Sequence, residues 1–235
     1  MVAPMVLHGL CIGAKQILGL EGFQLVSRLT FARAQDGRNY RASQATGILM
    51  TVFEKTPVFD AEKFQELVLY IADRSAGDEN FGATKLNKIL FYCDFKAYAL
   101  LGKPISGATY QRLEFGPAPK QLKPIEHEMI ARGDVQVVER VHFGRKQKRL
   151  VPRRDPNLAP FTGEEIAIVD EVIAQARDMN ATDLTDLSHC FRGWKHADPG
   201  EEIPYYTALV ASDQTLTPSE VADAQQIAGQ LGLLR

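Results

Sequence analysis

The chain has 235 residues, 45% of them apolar and 24% charged, with a formal net charge of −2. A domain of that length buries about 70% of its unfolded surface, so it needs no disulfide or metal to hold it, and near-neutrality gives no whole-chain case for nucleic acid or a strongly charged partner. Cys11, Cys93 and Cys190 are odd in number and far apart, which reads as reduced thiols of a cytoplasmic protein, and no run of 18 apolar residues exists to form a membrane span.

Residues 1–55 are expected to be a poorly patterned N-terminal extension, with Met50 as the working start. Lys15, Arg28, Arg33, Arg38 and Arg41 face only Glu21 and Asp36 over the first 49 residues, and apolar spacing supports one weak helix at most, over 23–33. An Arg-rich, acid-poor leader is also the composition of a transit peptide. A secretory signal is excluded, because Lys15 follows the apolar run and Gly9 and Gly13 interrupt it.

A domain is expected over 60–235. Asp60 is placed to cap a helix with Phe64, Leu67, Val68, Ile71 and Ala72 on one face, ending near Ala76 and Gly77. Thr84 opens a second helix, apolar around most of its girth (Leu86, Ile89, Leu90, Phe91, Cys93, Phe95, Ala97, Tyr98), which predicts a central position in the core. Gly102-Lys103-Pro104 ends it. Extended chain is expected over 105–115, then a helix entered at Pro117 and stopped at Gly133.

Val135, Val137, Val141 and Phe143 alternate with Gln136, Val138, Arg140 and His142, predicting one strand of a hairpin. Its turn is expected over 144–147 and its return strand over 148–152. Thr162 and Glu165 form a capping box for a helix over 162–177. A shorter helix capped by Thr182 follows, then a loop carrying Trp194 and a tail with helical spacing after Thr217. The fold class expected is α+β, a mainly helical domain with a small antiparallel hairpin or sheet.

Catalytic patterns are weak. There is no nucleotide glycine fingerprint, no phosphate loop and no Gly-x-Ser-x-Gly elbow. Cys93 sits among apolar residues, where a thiol is inert. His189, Cys190, His196 and Asp198 are ligand types without metal-finger spacing. The reading is therefore non-enzymatic, with no catalytic residue, metal or cofactor. Arg140, Arg145, Lys146, Lys148, Arg149, Arg153 and Arg154 crowd the hairpin without an intervening acid. Three readings stay open for it: a solvated edge, a dock for an acidic protein, and the wing of a winged-helix-like DNA-binding regulator.

Three motifs occur in order: Thr84-Lys85-Leu86-Asn87-Lys88, then Tyr110 with Gly116-Pro117-x-Pro119, then His189…Trp194…Gly200…Ile203-Pro204. Over about 60–210 the chain resembles the SocA-like antitoxin family, also called the Panacea domain, with phage-associated members of the GepA type. That resemblance implies a bacterial or prophage antitoxin that binds a cognate protein toxin encoded nearby and, in some members, delivers it to an ATP-dependent protease. The family supplies no catalytic set. The residues singled out as toxin contacts are Lys85, Asn87, Lys88, Tyr92, Arg145, Lys146, His189 and Trp194, with Tyr110, Gly116, Pro117 and Pro119 as structural framework. Three polar residues at the start of a buried helix need either loop carbonyls or a ligand; DNA and membrane are the less favoured partners.

Overall fold

The computed structural model describes residues 57–209 apart from Phe143. The 1–55 extension and the tail after Thr217 lie outside the described residues. In chain order the elements are α1 (Ala61–Arg74), α2 (Ala83–Leu101), β1 (Tyr110–Leu113), β2 (Gly116–Pro119), α3 (Leu122–Arg132), β3 (Val135–His142), β4 (Arg145–Pro152), α4 (Gly163–Ala176), α5 (Ala181–His189), α6 (Arg192–His196) and a 3₁₀ turn (Tyr205–Leu209). The fold is α+β and dominated by helices. Among the described residues the strands form two separate antiparallel pairs, β1–β2 and β3–β4, rather than one sheet.

α2 is the axis. From Lys85 to Ala99 nearly every side chain is buried, because α1, α4, α5, β2, β4 and the 3₁₀ turn all pack around it. Phe91 and Phe95 meet Tyr110, Phe191 and Tyr205 with ring centroids 4.7–5.6 Å apart. Aromatic pairs of this kind add about 0.5–1.5 kcal/mol each beyond their buried area, and the cluster ties α2 to β1, to Phe191 at the N-cap of α6 and to the 3₁₀ turn. Asp94 lies fully buried within it, accepting from the Ser106 amide (2.8 Å), the Ser106 hydroxyl (2.6 Å) and the Tyr110 hydroxyl (2.8 Å). Burial raises its pKa, against those hydrogen bonds, which lower it.

Several local rules hold as read. Asp60 accepts the Lys63 amide at 2.9 Å, and Thr162 with Glu165 closes a reciprocal capping box on α4. Gly102 and Gly133 take positive φ at the ends of α2 and α3. Other expectations are corrected. α1 stops at Arg74 with Ser75 as cap at φ −95, so no left-handed glycine is used. Gly82, not Thr84, stands at the N-cap of α2, and Asn180, not Thr182, caps α5 by accepting the Thr182 and Asp183 amides.

Gly116-Pro117-x-Pro119 is not a helix entry but strand β2, paired to β1 from Leu113↔Gly116 to Tyr110↔Pro119. α3 accordingly begins only at Leu122. The β3–β4 turn is shorter than expected, since His142 already pairs with Arg145. Trp194 sits in α6 rather than in a loop.

An ionic node ties α1 to the segments flanking β3 and β4. Arg154 donates to both Glu66 oxygens (2.6 and 3.0 Å) and to Asp134 (2.9 Å), and Glu66 also accepts the Asn157 amide. Burial pushes both carboxyls up, but the bonds to Arg154, with Asn157 for Glu66 and Arg132 for Asp134, leave each below its ordinary value. A carboxyl depressed in the folded state contributes stability that is present above its unfolded pKa and lost as pH falls through the folded one. Asp94 acts oppositely, its contribution fading as pH rises through its raised value. The urea midpoint is therefore expected to fall on acidification below the ordinary carboxylate range, and to fall less in Arg154→Ala. Equal acid sensitivity in the two proteins would contradict the assignment.

Candidate functional site

Lys88 and Tyr92, one turn apart on α2, face the start of β2 and the C-terminal end of α5. Lys88 is 1% exposed, and its ammonium donates to the carbonyls of Phe115 and Pro117, the latter at 3.2 Å. Gly116 between them has φ +91, and a Cβ there would overlap both Ser188 Oγ and Lys88 Nζ. Only glycine lets the backbone lie directly on the lysine.

Two further groups hold the same turn. The Trp194 indole donates to the Leu113 carbonyl at 3.1 Å, and His189 makes a hydrogen bond with the Glu114 backbone. His189 stacks on Trp194 with centroids 3.9 Å apart and planes 15° from parallel. The Arg112 guanidinium lies over the other ring system, 4.7 Å from the Trp194 centroid, while its Nη1 donates to the Ala197 carbonyl at 2.6 Å. The two-residue turn Glu114–Phe115 is thus gripped from α2, α5 and α6. On its outside stand Phe115, 66% exposed, and Leu113, 41% exposed.

Burial lowers the Lys88 pKa to about 7, and burial with the nearby Lys88 charge lowers that of His189. A lysine whose folded value lies below its unfolded one gives a fold that gains stability as pH rises from about 7 toward the ordinary lysine range. The Lys88 ε resonances are expected to titrate near pH 7 by NMR. Titration in the ordinary lysine range would contradict the desolvated environment.

The residues singled out as contacts divide into two groups. Lys85, Lys88 and Tyr92 are 1% exposed, so they present nothing to a partner in this conformation. Lys85 fulfils the loop-carbonyl alternative: it donates to the carbonyls of Arg177 (3.1 Å) and Met179 (2.6 Å) and pairs with Asp78 at 2.6 Å. Asn87 is half-buried and donates to the Ala83 carbonyl one turn back. His189 and Trp194 meet in the corner just described, with Tyr110, Gly116, Pro117 and Pro119 as its frame.

Arg145 and Lys146 stand at the far end of the β3–β4 ribbon, Lys146 exposed. The ribbon's own polar contacts run to residues 75–82: Gln147 to the Glu79 carbonyl and His142 to Asn80. Arg149 is 5% exposed and donates to the carbonyls of Ser75 (2.7 Å), Ala76 and Asp78 (2.8 Å). Arg153 bonds Gln136, Arg154 completes the Glu66 node, and Lys148 pairs with Glu139 at 3.6 Å. Much of the basic run is therefore occupied within the fold, and Arg149 in particular offers nothing to a phosphate.

Two nucleophilic side chains are enclosed, whereas the Cys190 thiol beside His189 is half-buried. Ser188 is fully buried with its hydroxyl on the Thr185 carbonyl, and burial raises the Cys93 thiol well above its ordinary value. Among the described residues no group of three or more His, Cys, Asp or Glu is placed to hold a metal, and no helix is long and apolar enough to cross a membrane. Sequence reading missed Phe115 and Leu113. The available signal was their position on either side of Glu114, immediately before a glycine.

Residues 86–195 match the model of a protein family described as antitoxin SocA-like, Panacea domain. This is the family that the three motifs indicated, over a shorter span than 60–210. The matched span encloses Lys88, the Glu114–Phe115 turn, His189 and Trp194, and leaves α1, Lys85 and the 3₁₀ turn outside. No curated protein and no solved structure matches the chain significantly.

Proposed function

Because residues 86–195 match the SocA-like Panacea domain, we propose that the chain is a non-enzymatic antitoxin that neutralises a cognate protein toxin by binding it directly. The observation that carries this reading is the family match itself, whose span contains the His189–Trp194 corner. The contacting surfaces are the His189–Trp194 corner, the part-exposed Asn87, and the outer end of the β3–β4 ribbon at Arg145 and Lys146. Lys88 holds the turn at the corner from below.

Binding has two consequences worth separating. Covering the toxin's active face suffices for neutralisation; delivery of the bound toxin to an ATP-dependent protease is a further step that the same surface permits. A duplex-binding role is weaker, because Arg149, Arg153 and Arg154 already have partners inside the fold. The test is co-expression with the product of the adjacent reading frame. Growth arrest by that product alone, relieved by this chain and accompanied by co-purification, is the expected result. An adjacent product that is harmless, or toxic and unrelieved, would remove the reading. Rescue that persists in a protease-deficient host would separate occlusion from delivery.

A further inference from the structure

We propose that the Glu114–Phe115 turn anchors the toxin interface, with Phe115 and Leu113 forming a fixed apolar knob that enters an apolar pocket on the toxin. The inference rests on the antitoxin reading and deepens it.

The turn is held far more firmly than its length requires. Four backbone positions in a row, from Leu113 to Gly116, are constrained by groups from three different helices: Trp194 on Leu113, His189 on Glu114, Lys88 on Phe115, and the absence of any space for a side chain at Gly116. Burying a lysine to hold a carbonyl carries a desolvation cost that a turn serving only as a connector does not demand. Connecting turns also favour Gly, Asn and Asp at their tips. Here the tip carries a phenylalanine at 66% exposure, with a leucine at 41% beside it at the end of β1.

A rigid apolar projection loses little conformational freedom on binding, which is the main cost that preorganised anchors avoid. Aromatic side chains in desolvated pockets dominate interface energetics. The charges around the knob are mixed: Arg112 covers Trp194 and Lys195 is exposed, while Glu114, Asp198, Glu201 and Glu202 are exposed on the turn and on the segment bound to β1. A knob of this size buries a fraction of the roughly 800 Å² that a stable interface takes from each partner, so it is an anchor within a larger contact.

The experiment is affinity measurement between the purified full chain and the toxin encoded beside it, using Phe115→Ala, Leu113→Ala and the double variant. Each apolar truncation is expected to weaken binding about tenfold and the double about a hundredfold, with the melting temperature unchanged because both side chains are exposed. Wild-type neutralisation that survives undiminished in the double variant overturns the anchor and leaves the antitoxin reading intact. Failure of the wild type to bind or neutralise overturns both. A double variant that melts early is replaced by Phe115→Ser, judged by the same two outcomes.

Discussion

Lys85→Met is expected to destabilise the domain by about 3–5 kcal/mol, the range for removing one partner of a buried ion pair. Lys85 is 1% exposed, its ammonium bound to the Asp78 carboxylate and to the carbonyls of Arg177 and Met179. Methionine fills similar volume but leaves Asp78, itself 10% exposed, without its cation. Urea unfolding at neutral pH reads the effect as a lower midpoint with an unchanged slope. Asp78→Asn in the same background should recover part of the loss, because an uncharged partner removes the stranded charge. Wild-type stability in Lys85→Met combined with lost neutralisation would show instead that Lys85 touches the toxin.

Arg149→Met is expected to cost about 3 kcal/mol, since it strips donors from the Ser75, Ala76 and Asp78 carbonyls at the turn joining α1 to α2. Arg149 also lies over the Phe81 ring, 5.6 Å from its centroid. The expected signature is a lower urea midpoint together with faster amide exchange over 75–82. Lys146→Ala, an exposed neighbour on the same strand, should leave stability within about 0.5 kcal/mol of wild type. If both variants melted alike and both lost affinity for duplex DNA, the basic ribbon would be a phosphate-binding wing and not a structural brace.

These two cations show where sequence reading reaches its limit. Helix faces and caps were legible because their signals are local: Asp60 three residues before Lys63, Thr162 three before Glu165, Gly102 and Gly133 one past their helices. The placement of α2 at the centre followed from its apolar girth. What was not legible depends on partners far along the chain. Lys85 reaches carbonyls 92 and 94 residues away, and Arg149 reaches back 71 to 74.

Gly116-Pro117 shows a local rule overridden. Proline suits the first turn of a helix as well as a short strand edge, and pairing with β1 over the Lys88 ammonium selects the strand. Phe115 was invisible for a related reason. An aromatic residue reads as core unless tertiary structure turns it outward, and three helices do that here. The dense basic run was read as one surface, whereas alternation along β4 sends Arg149 inward and leaves Lys146 and Lys148 outside.

The proposed antitoxin acts by forming a complex. Titrating the purified toxin with the purified chain, in buffer without ATP or protease, tests it most directly. Toxin activity is predicted to fall linearly and to reach its floor at a fixed molar ratio of chain to toxin, returning when the complex is dissociated. Inactivation of many toxin molecules by each chain, or full toxin activity at molar excess of the chain, would contradict it.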